Sequence, residues 1–400
     1  MNRKFLYLGL AATAMLTGCS SDDDFAAGNE PVGNSDTPIM LTMSQDGNKT
    51  RAELGNKDEQ GNYDGTFDAD NLGIYCLATG KIDAQEDINW TTGIDNPNIL
   101  WLENIRAKAV TNTVDGTKVT DLQWYDNTKR YYPMGSQYKY TFYGYHPYGT
   151  PVKNGTTYSI DITNLDGTKD VIWGKTGTPT GNQFADFAYS ALFFRENKNA
   201  LGTAYNARDF LPKLVFKHKL MKFNIIIKKG TGDDLDKVGV KKVTLHNVSN
   251  KGTLVIASQD GTNEGKFTPD WTSTTTLTLQ NANGTPLSGT DYFGDNNQRT
   301  IGGGFLLPAL EKQPNGTYPD NGYTEGGMAN KGVFRLRVDF NRRGDTYDTT
   351  YKAAQYEIVP PAEGWKEGYE YDIIITVSSP LEIESTAYLT PWEKGEITLR

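Results

Sequence analysis

Along much of this chain apolar residues return at every second position, the mark of a strand with one face in a core. "GVFRLRVDF" (332–340) alternates strictly, and so does "YEYDIIITV" (369–377). "PIMLTMS" (38–44) puts Ile39, Leu41 and Met43 on one face of a predicted strand, and "NLGIYCLA" (71–78) reads as a compact buried one. "YYPMGSQYKYTFYGYHPYG" (131–149) holds two strand-like runs around Gly135. In "LPKLVFKHKLMKFNIIIKKG" (211–230) the unbroken triplet Ile225 to Ile227 is typical of a strand buried on both faces. "KKVTLHNVSNKGTLVIAS" (241–258) reads as a hairpin with its turn near Asn250 to Gly252. Helical periodicity is scarce, residues 45–70 are polar and rich in Gly, Asp and Asn, and the predicted class is all-β.

Composition agrees. The 400 residues include 42 Gly and 23 Tyr, the vocabulary of short strands and turns. That length suits two domains, with a boundary expected near residue 205. The N-terminus is a separate matter. "MNRKFLYLGLAATAMLTGC" has Arg3 and Lys4, an apolar run from Phe5 to Leu16, and small residues before Cys19. That is the layout of a secretory signal over 1–18, too short to remain as a spanning helix. Leu16-Thr17-Gly18-Cys19 resembles a bacterial lipobox, which makes Cys19 the expected lipidation site. The other cysteine, Cys76, sits in an apolar run and reads as a small buried residue, so no disulfide is expected in the mature chain.

Charge and motifs narrow the function. The net charge of −9 becomes −11 once Arg3 and Lys4 leave with the signal, a poor match for nucleic acid. No nucleophile elbow, Walker loop or H-E-x-x-H zinc motif occurs, and "DDLD" (233–236) lacks the spacing and glycine of a calcium loop. His146 and His246 stand alone, and His218 reads as a packed ring satisfied by backbone. Arg343-Gly344-Asp345 spells an integrin-binding tripeptide, but a hairpin turn needs such residues anyway, so it reads as turn chemistry. No catalytic residue, metal or cofactor is expected.

Several short motifs follow one another in order: "LTGCSSDDD", "YKYTFYGYHPY" ending in His146-Pro147-Tyr148, "DVIWGK", and "LVFKHKLMKFNIII" with Phe216, His218 and Leu220 as F-x-H-x-L. "GTLVI", "GGGFLLPA", "GWKEGYEYDIIITV" and a terminal Pro391-Trp392-Glu393-Lys394-Gly395 follow. With these the chain resembles the fimbrillin family, the type V pilins of Bacteroidetes. The resemblance implies two transthyretin-like β-sandwich domains in tandem, export to the outer membrane as a lipoprotein, and assembly into surface fimbriae with other pilin subunits. It also implies an Arg-specific protease that cuts the precursor in an N-terminal loop. Arg51-Ala52 matches that site.

The residues around that point fit such a cut. No Lys or Arg lies between Phe5 and Asn48, so a trypsin-like cut falls at Lys49 or Arg51, in a polar loop of the accessible kind that proteases need. It would remove the lipidated tether and first strand (19–51) and leave domains at 52–205 and 206–400. Loss of a strand opens an apolar groove with unpaired backbone edges. In the tail, 381–400, Leu381, Ile383, Ala387 and Leu389 share one face, with Glu382, Glu384, Thr386 and Tyr388 on the other. Such a segment can serve as a donor strand for a neighbour's groove, a heterologous contact that grows filaments; it also fits an ordinary strand in its own sheet. Three readings stand. The chain is a shaft pilin, an anchor or tip subunit of the same fimbriae, or a surface glycan-binding lipoprotein that stacks sugars on its seven Trp and many Tyr. A host or bacterial surface ligand is left open.

Overall fold

The computed structural model describes residues 34–45, 70–81, 88–91, 97–114, 117–133, 138–177, 211–231, 235–281, 283–287, 291–292, 298–327, 329–342, 352–377 and 383–390. Apart from 3-10 turns at Leu235–Lys237 and Glu325–Gly327, their regular structure is all strand. In chain order the strands are β1 (Asn34–Pro38), β2 (Thr42–Gln45), β3 (Leu72–Lys81), β4 (Leu100–Val114), β5 (Thr117–Trp124), β6 (Tyr131–Pro133), β7 (Tyr138–His146), β8 (Val152–Asn154), β9 (Thr157–Ile162), β10 (Ile172–Thr176) and β11 (Lys213–His218). Then come β12 (Met221–Lys229), β13 (Val238–Ser249), β14 (Gly252–Ser258), β15 (Phe267–Pro269), β16 (Thr274–Thr278), β17 (Asp291–Tyr292), β18 (Gln298–Leu307), β19 (Phe334–Arg342), β20 (Lys352–Ile358), β21 (Glu370–Val377) and β22 (Ile383–Thr390). The all-β class expected from period-two patterning is the class observed.

The strands gather around two apolar cores. The first is enclosed by a seven-stranded closed barrel, in the order β10-β11-β2-β5-β4-β3-β7, with a sheet β15-β14-β9-β8 and a ribbon β1-β6 beside it. The second lies between two sheets, β18-β12-β21-β22 and β16-β13-β19-β20, a sandwich in which β13 also pairs with β17. The alternation of "YEYDIIITV" becomes Tyr371, Ile373, Ile375 and Val377 buried in this second core. The Ile225–Ile227 triplet lies on β12, which pairs parallel with β21 and antiparallel with β18, the interior position its unbroken apolarity suggested.

The expected boundary at 205 falls outside the described residues. The cores divide between Leu220, buried in the first, and Met221, buried in the second. The division is also not a clean cut in sequence. β13 and β14 read as a hairpin, but they do not pair. β13 stays in the second sandwich with β16, β17 and β19, whereas β14 pairs with β9, a hundred residues earlier, and sends Leu254 and Ile256 into the first core. The connection changes bodies because its groups are already bound. Ser249 Oγ donates to the carbonyls of Lys251 and Asp270 at 2.8 Å each, Leu165 N donates to Asn250 O at 2.9 Å, and Asn250 N donates to Ser273 O at 3.1 Å. These bonds hold the backbone in a crossing rather than a two-residue turn.

Turn chemistry recurs elsewhere. Asp166, Asp260, Asp270, Asn283 and Asn315 each accept, through a side-chain oxygen, the N–H of a threonine two residues on, at 2.9–3.1 Å. The "GGG" of "IGGGF" is a bulge. Gly302 and Gly304 have φ of +65° and +85°, and the β12–β18 register shifts between Phe223 and Ile225 there.

Candidate functional site

The residues singled out near the N-terminus converge on the seam of the barrel. Ile39, Leu41 and Met43 are only 3–5% exposed, while Met40 between them is 54% exposed. The inward alternation is as read. The segment is not one continuous strand, however. β1 and β2 are separated by residues 39–41, whose backbone bonds run to different neighbours. Ile39 N donates to Arg130 O at 2.8 Å, Leu122 N donates to Leu41 O at 3.0 Å, and Thr42 N donates to Pro212 O at 2.9 Å. The chain therefore leaves the β1–β6 ribbon and enters the barrel while its apolar side chains stay buried.

β2 then fills a gap between two strands. It runs parallel to β11, Thr42 opposite Lys213 through Gln45 opposite Phe216, and antiparallel to β5, Thr42 opposite Asp121 and Met43 opposite Thr120. β11 and β5 are not paired to each other, so these four residues close the ring. Burial of Ile39, Leu41 and Met43 contributes about 6 kcal/mol, at roughly 2 kcal/mol per side chain. Without this segment the barrel would present two backbone edges flanking an apolar slot.

The C-terminal strand sits in the other body. β22 pairs antiparallel with β21 over eight residues, and its register puts Ile383, Ala387 and Leu389 opposite Val377, Ile373 and Tyr371. It is the terminal strand of its sheet, with one hydrogen-bonded neighbour. Among the described residues, β2 and β22 thus belong to different sheets and do not pair with each other. Cys19, Lys49, Arg51, Ala52, Leu381 and the Arg343-Gly344-Asp345 tripeptide lie outside the described residues.

Between the bodies is a charged joint that sequence reading missed. His218 closes β11, and its ring is satisfied by a carboxylate rather than by backbone as expected. Nδ1–H donates to Asp170 Oδ2 at 2.5 Å, and both side chains are buried. The other oxygen of Asp170 accepts Val171 N–H at 2.8 Å. The next residue, Lys219, is itself buried and pairs with Glu367 of the second body. Burial pushes the Glu367 carboxyl above its ordinary range, against the opposing pull of Lys219. Gly368 N donates to Leu220 O and Lys222 N to Tyr369 O, at 2.8 and 2.9 Å, which fixes the passage from one core to the next. Asp170 and His218 belong to "DVIWGK" and F-x-H-x-L, so two of the motifs that carry the family resemblance meet here, in a structural contact. Burial also raises the Cys76 thiol well above its ordinary value, and that residue is fully enclosed. Among the described residues no three His, Cys, Asp or Glu side chains gather as a metal-ligand group.

The model of the fimbrillin-like family matches residues 50–392. The chain belongs to the fimbrillin-like family. That is a family of fimbrial structural proteins, and membership makes this chain a fimbrial subunit of the cell surface. Solved structures resemble the fimbrillin-like chain over most of its length. A candidate cell adhesion protein from Bacteroides uniformis is 17% identical, with 90% of this chain and 100% of that chain covered at a TM-score of 0.47. The tip fimbrial protein Mfa3 of Porphyromonas gingivalis is 10% identical, with 89% and 100% covered at a TM-score of 0.35. The fimbrial anchor protein Mfa2 of the same organism is 9% identical, with 90% and 99% covered at a TM-score of 0.33. No curated protein sequence matches the chain.

Proposed function

We propose that this fimbrillin-like chain is a polymerising shaft subunit. It is exported as an outer-membrane lipoprotein precursor with lipid on Cys19. An Arg-specific protease then cuts after Arg51. The cut releases the tether together with β1 and β2, and the C-terminal segment 381–400 of another subunit takes the vacated place. The observation that carries this reading is the position of β2. It is short, lies N-terminal to Arg51 and, among the described residues, is the one strand that joins β11 to β5. Its loss leaves the type of groove that accepts an extended strand, in which main-chain bonds give affinity and alternate apolar side chains set register. β22 suits the donor role because it has one neighbour to leave, and its apolar residues Ile383, Ala387 and Leu389 fall on alternate positions of one face, as Ile39, Leu41 and Met43 do. A tail from one subunit in the groove of the next is a heterologous contact, and it propagates as a filament unless it closes into a ring. An anchor subunit would keep its lipid and resist the cut, whereas a tip subunit would have no onward tail to give.

Residues 20–400, treated with an Arg-specific protease, test this. The expected result is a new N-terminus at Ala52 by mass spectrometry and a ladder of oligomers that disappears when residues 381–400 are deleted. A cut at Lys49 alone moves the site but keeps the mechanism. An uncut, monomeric chain overturns the shaft reading and leaves the anchor.

A further inference from the structure

The junction of the two bodies holds a cleft of about 460 Å³ that the assembly reading does not use. It opens between β15, which belongs to the sheet beside the barrel, and residues 309–319 of the second body. Its volume lies within the ~300–1,000 Å³ range of small-molecule sites, and junctions between folded bodies are where such sites concentrate.

Three aromatic residues, Phe267, Trp271 and Tyr318, line it, and the rings of Trp271 and Tyr318 are fixed by their neighbours. Trp271 packs on Phe334, ring centroids 6.3 Å apart. Tyr318 lies flat on Gly332, where φ is +74° and a Cβ would come within 2.7 Å of the ring, so only glycine lets the ring lie there. The tryptophans also differ in how their indole N–H groups are used. Trp90, Trp101, Trp173 and Trp365 each donate to a backbone carbonyl at 2.6–2.9 Å. Trp271 makes no such bond among the described residues. Trp124 is the other described exception, and its ring is covered by the Arg130 guanidinium, 4.9 Å from the centroid.

The polar side of the cleft is equally organised. Gln313 stands on a tight Asn315-Gly316-Thr317 turn. Its own N–H donates to Thr317 O at 2.7 Å, Gly316 N–H donates to Gln313 O at 2.8 Å, and Asn315 Oδ1 accepts Thr317 N–H and Oγ1–H at 3.0 and 2.8 Å. Lys266 and Glu311 reach the cleft without an ion pair between them, and the Lys219–Glu367 pair completes the lining. Two ammonium groups and two carboxylates leave it without a net charge.

We infer that this cleft binds a neutral saccharide. A pyranose offers an apolar C–H face for a fixed aromatic ring and a rim of hydroxyls that both donate and accept. The Trp271 and Tyr318 rings supply the stacking surface. Gln313, Lys266 and Glu311 supply a carboxamide, a donor and an acceptor around it. An anionic ligand would meet the two carboxylates with no surplus of positive charge to offset them. The inference is independent of the polymerisation mechanism.

The test uses residues 20–400 with cellobiose, lactose, N,N′-diacetylchitobiose and mannobiose as probes, by saturation-transfer NMR and by calorimetry. At least one probe is expected to bind with a dissociation constant of about 1 mM or tighter. Gln313→Ala, an exposed change that keeps the fold, is expected to weaken that binding about tenfold. Trp271→Ala is expected to weaken it at least as much, while Trp124→Phe leaves it unchanged. If Trp271→Ala unfolds the chain, Gln313→Ala decides. Failure of all four probes to bind, or equal affinity in the wild type and Gln313→Ala, overturns the assignment.

Discussion

The two bodies are completed by terminal segments in opposite ways. In the barrel the N-terminal β2 is four residues long, and both of its edges are paired. In the sandwich the C-terminal β22 is eight residues long, and one edge is paired. A closed ring has no edge, so removing any strand creates two. An open sheet already ends somewhere, so removing its last strand moves the edge inward by one. The short strand is therefore the costlier loss and the long one the cheaper. This asymmetry suits the proposed assembly, in which a covalent cut opens the groove and exchange releases the tail. β22 also lies close to β20, the end strand of the facing sheet, so its departure uncovers a margin of the sandwich without cutting through the centre.

The largest effect expected from this asymmetry is between two truncations. A chain beginning at residue 46 loses the buried Ile39, Leu41 and Met43 and both β2 ladders, a loss of about 6 kcal/mol from the side chains alone. A chain ending at residue 380 loses one peripheral ladder. Calorimetry should show the first-body transition displaced far down, or lost, in the N-terminal truncation and only a modest shift in the C-terminal one. Equal destabilisation by the two would mean that closing the ring adds nothing, and the comparison would fail.

Next in size is the joint. Asp170→Ala leaves His218 buried without its carboxylate and strips the acceptor from Val171 N–H. Removing one partner of a buried pair costs on the order of 3–5 kcal/mol. Because the pair sits where β11 hands over to β12, both bodies are expected to loosen together, seen as hydrogen-exchange protection lost on both sides of Lys219. Loss confined to the barrel would show that the two bodies are held together by other contacts.

How far this arrangement was legible follows from the range of each signal. Ile39, Leu41 and Met43 declare themselves because alternation is local, and so does the interior position of β12, because a run buried on both faces has no polar positions. The interruption at residues 39–41 carries no local signal. It depends on Arg130, Leu122 and Pro212, which sit far along the chain and act through backbone groups common to any residue. The β13–β14 reading failed for the same reason. Two alternating runs around a polar dipeptide look like a hairpin, and only the partner β9 shows that the second run belongs to another core. The Asp170–His218 contact joins residues 48 apart. Both were visible as parts of the motifs behind the family resemblance, but one sequence does not say that they touch. The cleft is more distant still, since Trp271 and Tyr318 meet through the second core and Lys266 joins them only where β15 packs beside it.

The smallest expected effect separates a charge pair that is buried from one that is not. Arg130 donates two hydrogen bonds to the Asp126 carboxylate, at 3.0 and 2.9 Å, and its carbonyl is the acceptor for Ile39 N–H. The pair thus braces the turn that receives the N-terminal segment. The Arg130 guanidinium and the Thr128 N–H hold the Asp126 carboxyl well below the usual range. A lowered folded value means that the stabilising contribution is present above the unfolded pKa and disappears as pH falls through the folded one. Asp126 faces solvent, however, and exposed pairs contribute little. Asp126→Ala should therefore leave Tm at pH 7 hardly changed, and the small difference from wild type should vanish under strong acid. An NMR titration of the carboxyl together with melting curves at pH 7 and in acid would check both points. If Asp126→Ala proved as damaging as Asp170→Ala, the seating of β1 and β2 would depend on this surface brace, and the buried apolar residues and paired edges of β2 would no longer account for the closure of the barrel.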